Sequence, residues 1–184
     1  MTDMEKKAVT ITVPARLDGK CFRRFAWFNS FVRQKRWVSP LIFSLILTVF
    51  AVVILITGQD KAALLSTVLL TVGLGLPVVY VWTFFSQVKQ QVKRFRLDPP
   101  RLVYSVTLGE DGIRAENHVQ SQDPQETAWG DTWKAFRQKD CIYLFVSENR
   151  AFLLPAGQAD VPDEDLWAFL VDHMGQDKCS SAIR

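Results

Sequence analysis

Two long apolar stretches dominate the first half of the chain. Residues 37–59 and 62–88 contain no Asp, Glu, Lys or Arg. A bilayer core of about 30 Å needs roughly 20 consecutive apolar residues, and both stretches supply them. The pattern predicts two transmembrane helices, at about 37–58 and 62–88, that form a hairpin.

The second stretch has Gly73, Gly75 and Pro77 near its centre. Small residues permit close helix packing and proline bends helices, so these residues favour packing between the two spans. The alternative is a broken helix that lines a transport path. That alternative would bring an ionisable residue to membrane depth, and neither stretch has one, which argues against a transporter or channel.

Residues 1–36 contain a short alternating segment and then a basic aromatic one. Residues 8–13 alternate like a strand, and Pro14 is expected to end it. A lone strand does not persist, so we expect it to pair with the C-terminal domain. The second segment places apolar residues at helical spacing among Arg and Lys, and it is either an amphipathic helix at the membrane surface or an extension of the first span. These apolar residues are Cys21, Phe22, Phe25, Phe28, Phe31 and Val32.

After Pro99 and Pro100 the apolar positions alternate with period two. This predicts a hairpin of residues 102–108 and 113–117 around a turn at 109–112, a strand pair near 126–128 and 132–137, and strands at 141–146 and 151–154. We expect one antiparallel sheet, covered at an open end by a helix that begins near Pro162. The apolar stripe of that helix comprises Leu166, Phe169, Leu170 and Met174. This domain spans 102–175, and 176–184 is expected to be a flexible tail.

Charge is distributed unevenly along the chain. Residues 1–36 carry nine bases and three acids, and residues 89–101 carry five bases and one acid, whereas the connector between the spans has only Asp60 and Lys61. Basic residues favour the cytoplasmic side, so this pattern places both termini in the cytoplasm. The segment 89–101 forms a basic collar that is expected to contact anionic lipid headgroups. Aromatic anchors at the interface are predicted at Trp37, Tyr80, Trp82, Phe84 and Phe85.

Several residues are of types that can carry chemistry, and each favours a structural role. His118 and His173 lack partners at a metal-ligand spacing, and Asp163, Glu164 and Asp165 are typical of a helix start rather than a calcium loop. Gly109 and Gly112 flank a turn, which excludes a phosphate loop. Trp129 and Trp133 could stack on a base, but residues 102–184 carry fourteen acids and seven bases, which argues against nucleic acid.

Three cysteines are present, and they are far apart in the sequence. Cys21, Cys141 and Cys179 would all lie on the cytoplasmic side, where thiols remain reduced, so we expect no disulfide. Cys141 begins a strand without a neighbouring activating residue and is expected to be a small core residue. No catalytic residue, metal ligand or cofactor site is predicted.

The order of these parts resembles the bacterial YcxB-like membrane proteins. The resemblance rests on the strings "EDGI" (110–113), "WGDTWKA" (129–135) and "CIYLFVSENRAFLLP" (141–155), followed by a final helix. Trp129, Asp131 and Pro155 match the family pattern, whereas Gly130 and Thr132 replace its commoner Ser and Ile. The resemblance implies a C-terminal domain with a PH-like fold, and it implies no catalytic residues.

The expected fold class is an α+β membrane protein, with a transmembrane hairpin and a cytoplasmic PH-like antiparallel β domain that ends in one α-helix. The expected location is the bacterial inner membrane. We expect a non-enzymatic protein whose module binds a protein, a peptide or a lipid headgroup, since a small sheet offers exposed strand edges. The alternative is a structural or assembly factor that forms homo-oligomers through the face bearing Gly73 and Gly75.

Overall fold

The computed structural model describes residues 10–58, 61–119 and 123–182, which fall into two compact units. The first unit contains Met1–Cys21 and Leu97–Arg184, and the second contains Phe22–Arg96. The second unit is therefore an insertion within the sequence of the first. The chain is a mixed α+β protein with two long apolar helices and two sheets.

Eight strands and one helix build the first unit among the described residues. The helix, α4, is Asp163–Met174. The strands are β1 (Ile11–Leu17), β2 (Arg101–Leu108), β3 (Ile113–Asn117), β4 (Gln125–Thr127), β5 (Lys134–Arg137), β6 (Cys141–Ser147), β7 (Arg150–Pro155) and β8 (Cys179–Ser181).

The first sheet has the order β1-β2-β3-β4, with every pair antiparallel. The predicted hairpin of β2 and β3 is confirmed, and its turn is closed by reciprocal backbone hydrogen bonds between Gly109 and Gly112. The expected pairing of the N-terminal strand is also confirmed, since β1 pairs with β2 along its whole length. The strand does not end at Pro14, however, but continues to Leu17. Pro14 is tolerated because β1 lies at the edge of the sheet, where a missing N–H costs little. Residues 8 and 9 lie outside the described residues.

The second sheet has the order β7-β6-β5-β8, so the expectation of a single sheet was wrong. The expected pairing of β4 with β5 was also wrong, because β4 pairs with β3 and β5 pairs with β6 and β8. The tail also differs from the flexible segment that was expected. Cys179–Ser181 runs parallel to β5 and covers its outer edge, where unpaired backbone groups would otherwise face solvent.

One hydrophobic core lies between the two sheets and α4. Residues of both sheets, including Val13, Val106 and Leu144, are fully buried in it. The expected apolar stripe of α4 packs against the same core. Its members Leu166, Leu170 and Met174 are buried, and Phe169 is partly buried. The first helical turn carries Asp163, Glu164 and Asp165, whose charge suits the positive end of the helix dipole.

The inserted part of the chain contains a π-helix (Phe28–Arg33) and helices α2 (Val38–Thr57) and α3 (Ala62–Arg94). Helix α1 (Gly19–Trp27) begins in the first unit and continues into the inserted one. Both α2 and α3 are long and apolar enough to cross a membrane, with mean hydropathies of 2.7 and 2.1 over their 18-residue apolar windows. The predicted spans are thus present as helices, but α3 continues six residues beyond the predicted end at Val88 and is unbroken at Pro77. At 1.5 Å per residue its 33 residues measure about 50 Å, which exceeds a bilayer core.

The hairpin of α2 and α3 is held by small residues and hydroxyl groups. Gly73 packs against α2, and a Cβ built on it would lie 3.2 Å from the Cβ of Leu47 and 3.3 Å from the carbonyl oxygen of Ser44. The Ser44 hydroxyl donates to the Gly73 carbonyl, and the Ser66 hydroxyl donates to the Ala51 carbonyl at 2.9 Å. The expected close packing at the centre of the second span is therefore present.

The basic aromatic segment packs along the C-terminal part of α3. Phe31 contacts Tyr80 and Phe84, and Trp27 contacts Phe84, with ring centroids 4.9–6.2 Å apart. Earlier residues of the segment thus meet later residues of α3, which means that the segment runs antiparallel to α3, as α2 does. The segment thus runs in the same direction as α2 and is separated from it by an interruption between Gln34 and Trp37.

Candidate functional site

The edges of the two sheets determine where another chain could add a strand. A strand at a sheet edge presents unpaired N–H and C=O groups, and an extended peptide binds by pairing with them. Two of the four edges in the first unit are blocked by the protein's own side chains, and the other two differ in what they offer a partner.

The outer edge of β1 is capped by the loop that follows β7. The Thr12 N–H donates to Asp160 Oδ1 at 3.0 Å, and the Asp160 N–H donates to the Thr12 carbonyl at 3.2 Å. Gln158 does the same further along the strand, since its Oε1 accepts from the Arg16 N–H at 2.8 Å and its Nε2 donates to the Arg16 carbonyl at 3.1 Å. These two residues of β1 have no backbone group left for an added strand.

The outer edge of β7 is capped by one tyrosine. The Tyr104 hydroxyl accepts from the Leu153 N–H at 2.6 Å and donates to the Leu153 carbonyl at 3.1 Å. Burial raises the pKa of Tyr104 well above its ordinary value, so the hydroxyl stays protonated and keeps both roles. The cap closes the middle of this edge.

The outer edge of β4 is short. The strand consists of Gln125, Glu126 and Thr127, so it has no apolar side chain to anchor a partner. Its position is fixed tightly, because a Cβ on Gly112 would lie 2.5 Å from the Thr127 carbonyl oxygen. Only glycine fits at that turn.

The edge of β5 is occupied by the three-residue strand β8. Backbone pairing aligns Ala135 with Cys179 and Arg137 with Ser181, and the Ala182 N–H donates to the Arg137 carbonyl at 3.0 Å. Lys178 precedes the strand and donates through Nζ to the Thr132 carbonyl at 2.9 Å. This edge therefore receives an extended segment in the structure itself.

A groove of about 540 Å³ runs beside β8 along α4. Trp167, Val171 and Cys179 supply its apolar surface, and Asp172, Gln176 and Ser181 supply its polar rim. Sites that bind extended peptides combine such apolar walls with a row of backbone groups. We regard the β5 edge together with this groove as the candidate site.

An ion pair lies at the start of α4 beside the candidate site. Arg137 donates to both carboxylate oxygens of Glu164, at 2.8 and 2.6 Å. This bidentate hydrogen bond raises the pKa of Arg137 and lowers that of Glu164. The Arg137 guanidinium also lies 6.0 Å from the ring centroid of Trp167, which lines the groove.

The histidines predicted to be structural have different surroundings. His173 stacks on Phe169 with ring centroids 4.0 Å apart and lies 5.1 Å from the Trp129 ring, so it is part of an aromatic cluster at the end of α4. His118 Nε2 lies 2.8 Å from Ser105 Oγ, a nucleophile and base pair that sequence reasoning missed. Nucleophilic catalysis also needs a group that orients the base. Within the described part of the chain, no such group bonds the His118 ring.

The two tryptophans of the "WGDTWKA" string have separate partners. Trp129 Nε1 donates to the Gly109 carbonyl at 2.9 Å, and its ring packs against the core, as expected for a corner residue. Trp133 contacts Phe145 edge-on at 5.8 Å, and Lys134 Nζ lies 5.1 Å from its ring centroid. Packing within the protein therefore accounts for the positions of Trp129 and Trp133, and no role in stacking on a base is needed to explain them.

The expectation that the cysteines are isolated was wrong for two of them. Cys141 is buried, and its thiol shares a hydrogen bond with Cys21 at the start of α1. This hydrogen bond and burial raise the pKa of the Cys141 thiol, which keeps it protonated. Burial also raises the pKa of Cys179. Cys21, Cys141 and Cys179 form no disulfide, and the described His, Cys, Asp and Glu side chains form no group of three that could hold a metal ion.

The basic collar is divided between the two units. Lys89, Lys93 and Arg94 are exposed on the last turns of α3, and Arg96 follows in a left-handed conformation with φ of 51°. Arg101 is the first residue of β2. The collar therefore includes a helical face and a strand start rather than one continuous helix.

Comparisons with protein-family models, with curated proteins and with solved structures found no match.

Proposed function

We propose that the α2–α3 hairpin spans the bacterial inner membrane with both chain termini in the cytoplasm. The apolar surface of the hairpin supports this, because only 11% and 17% of the most apolar windows of α2 and α3 are buried within the protein. Exposed side chains include Ile56 at 79% and Trp82 at 75%. Contiguous apolar surface of this extent marks a membrane or protein contact.

The pairing of β1 with β2 supports the hairpin topology independently of charge. These strands precede and follow the two apolar helices, and they are hydrogen-bonded neighbours from Ile11 to Leu17. Paired strands must lie on the same side of a membrane, so an even number of crossings must separate them. Two crossings satisfy this condition, and the basic flanks favour the cytoplasm as the common side.

Thiol labelling tests this topology. A membrane-impermeant thiol reagent applied to intact spheroplasts is expected to leave Cys21, Cys141 and Cys179 unlabelled, whereas a cysteine introduced by Gln59→Cys in the connector should react. Permeabilised spheroplasts provide the control, in which the half-buried Cys179 becomes labelled. Labelling of Cys179 before permeabilisation would contradict the topology.

The first unit is proposed to be a cytoplasmic recognition module with a PH-like fold in a YcxB-like protein. The succession of four antiparallel strands, a second antiparallel set of three and a closing helix supports this assignment. The added strand β8 is a departure from that plan. The proposed role is binding rather than catalysis, because the described candidates for chemistry are engaged in packing and capping or, in the case of Ser105 and His118, have no described group that orients the base.

The proposed ligand is an extended segment of another protein, bound at the edge of β5 beside α4. One observation carries this proposal: the edge with an adjoining apolar groove already holds an extended segment, the chain's own β8. The edges of β1 and β7 are capped, and β4 offers no apolar anchor. In this proposal β8 occupies the edge of β5 until a partner displaces it, and Trp167 and Val171 of α4 remain as the apolar wall for the partner.

A competition experiment tests the site. A chain truncated after Gly175 is expected to bind a fluorescent peptide with the sequence of residues 176–182, and the full chain is expected not to bind it. A tethered tail acts at an effective concentration on the order of millimolar, so a micromolar peptide cannot compete with it. Fluorescence anisotropy of the peptide measures its binding to the truncated chain and to the full chain.

Ala182→Pro provides an intermediate variant, since it removes the hydrogen bond to the Arg137 carbonyl without shortening the chain. It should bind the peptide more weakly than the truncated chain and more strongly than the unmodified one. A peptide of the same composition in scrambled order is the control. Equal binding of both peptides, or no binding by a truncated chain that still melts cooperatively, would contradict the proposal.

The alternative function is a membrane scaffold that oligomerises through its spans, and one observation favours it. A Cβ built on Gly75 would have no atom within 4 Å, so this small residue is left on an open helix face. Gly73 is already engaged against α2 and is not available to a second copy. Any such contact would therefore be centred on Gly75.

A further inference from the structure

A cleft of about 870 Å³ lies within the inserted unit, separate from the strand-edge site. Its walls come from α1 and the π-helix, from the start of α2 and from the C-terminal half of α3. The cleft extends from Phe43 and Leu76, which lie in the charge-free stretches, to Gln91, which lies beyond them. It therefore connects the apolar depth of the hairpin with its polar end.

The lining of the cleft is chemically mixed. Phe43, Leu76 and Phe84 contribute apolar surface, and Asn29, Arg36 and Gln91 contribute polar groups. Volumes of about 300–1,000 Å³ are typical of ligand sites. Because Phe43 and Leu76 lie farthest into the charge-free stretches, the cleft suits an amphipathic molecule, with a hydrocarbon part along these residues and a headgroup beside the polar and charged ones.

The charge around the cleft has one sign. Residues 22–96 contain ten Lys and Arg residues and a single acid, Asp60, which lies in the connector at the opposite end of the hairpin. Arg36 is exposed at the rim of the cleft. A guanidinium group binds phosphate oxygens in a bidentate manner, and no nearby carboxylate of this unit competes for it. The rim thus favours an anion over a zwitterion.

Unusual backbone geometry holds the rim in place. The π-helix Phe28–Arg33 is followed by Lys35 in a left-handed conformation with φ of 46°. With this backbone geometry the Arg36 N–H donates a hydrogen bond to the Ser30 carbonyl at 3.0 Å. Ser30 and Arg36 both line the cleft. π-Helical turns and strained non-glycine residues cluster at functional sites because a binding role maintains them despite their cost.

Asn29 is oriented by a neighbouring arginine. Arg33 Nε donates to Asn29 Oδ1 at 2.7 Å, which fixes the amide with its oxygen engaged. The Asn29 amide nitrogen is a donor and therefore suits an anionic ligand oxygen. Asn29 and Arg36 thus supply a neutral and a charged donor at the polar end.

We propose that this cleft binds one anionic phospholipid of the cytoplasmic leaflet, with its phosphate near Arg36 and Asn29 and an acyl chain along Phe43 and Leu76. The proposal rests on the membrane insertion of the hairpin. It is distinct from diffuse attraction of lipid to the collar, because it assigns one bound molecule to named residues.

The test uses the full chain in detergent and native mass spectrometry, with phosphatidylglycerol and phosphatidylcholine as probes. The unmodified protein should retain one phosphatidylglycerol in preference to phosphatidylcholine. Arg36→Gln should weaken phosphatidylglycerol binding about tenfold, as expected for the loss of a charge-assisted hydrogen bond. Lys89→Gln is the matched control, since Lys89 is exposed on α3 but does not line the cleft. Its effect should be much smaller.

A second pair of variants tests the cleft itself without altering charge. Ala26 lines the cleft, and Ala26→Phe should fill it and abolish selective retention of phosphatidylglycerol. Ala63→Phe, at the far end of the hairpin, should leave that retention unchanged.

The proposal would be overturned by equal losses of phosphatidylglycerol binding in Arg36→Gln and Lys89→Gln, or by unchanged binding in Ala26→Phe. Displacement of the lipid by glycerol 3-phosphate at matched concentration would also overturn it, by making a soluble phosphate the ligand. A chain that stays soluble without detergent would contradict membrane insertion instead, so the two failures are distinguishable.

Discussion

A chain shortened to residues 97–184 is expected not to form the cooperative fold of the first unit. The fragment lacks β1, whose Ile11, Val13 and Leu17 side chains are 0–4% exposed in the intact protein. Burial of each such side chain contributes about 1.5–3 kcal/mol, and the total stability of a domain is typically about 5–15 kcal/mol. The loss therefore approaches the whole free energy of unfolding, and it also leaves one edge of β2 without a partner.

Thermal unfolding followed by circular dichroism, together with size-exclusion chromatography, measures this effect. The matched control protein carries residues 10–18 joined to Leu97 through a flexible linker in place of the hairpin, and it should be monomeric with a sharp transition. A fragment without β1 that is monomeric and melts as sharply as the fused form would show that β1 is dispensable.

The substitution Gly73→Leu is expected to separate the two long helices. A Cβ at this position already lies within 3.2–3.4 Å of three atoms of α2, so a leucine cannot fit without displacing that helix. Overpacking of this kind costs about 1–3 kcal/mol, and the hydrogen bond from Ser44 to the Gly73 carbonyl would be lost as well. Disulfide cross-linking between cysteines introduced by Ala51→Cys and Ser66→Cys, which replace buried neighbours, reports the separation.

Gly75→Leu is the control, because Gly75 has open space around it. It should leave cross-linking within the hairpin unchanged. Equal cross-linking in the two leucine variants would show that the contact at Gly73 does not hold the hairpin. If Gly75→Leu instead abolished a homodimer, the scaffold function would gain support.

The elements that the sequence predicted well are those with a long local pattern. The two apolar helices are long uninterrupted apolar stretches, the β2–β3 hairpin and the stripe on α4 follow a regular period, and Gly109 and Gly112 mark the turn between β2 and β3. Pattern and turn chemistry act over short sequence distances, so a single sequence reveals them.

The elements that the sequence missed depend on contacts between distant residues. β4 and β5 have three and four residues, too few to show alternation, so their division between two sheets was not predictable. β8 is polar and pairs in parallel with β5, which lies far from it in the sequence, and no local signal indicates this. The candidate site is therefore a product of the fold rather than of a motif.

The side chains that cap the strand edges also depend on contacts between residues that are distant in the sequence. Thr12 and Asp160 are 148 residues apart, and Tyr104 and Leu153 are 49 apart. Each residue type is unremarkable at its position in the sequence. Only the folded arrangement shows that these side chains block two edges and that an apolar groove adjoins the edge of β5.

The insertion of the hairpin between β1 and β2 also determines the order of events during synthesis. Val13 pairs with Val106, so the first strand leaves the ribosome about 90 residues before its partner. At about 5–20 residues per second this delay is roughly 5–20 seconds, during which both apolar helices are made. The β unit cannot close until the hairpin has been translated. A nascent chain that stalls within the hairpin therefore keeps the apolar side chains of β1 exposed, where proteases and chaperones can recognise the incomplete protein.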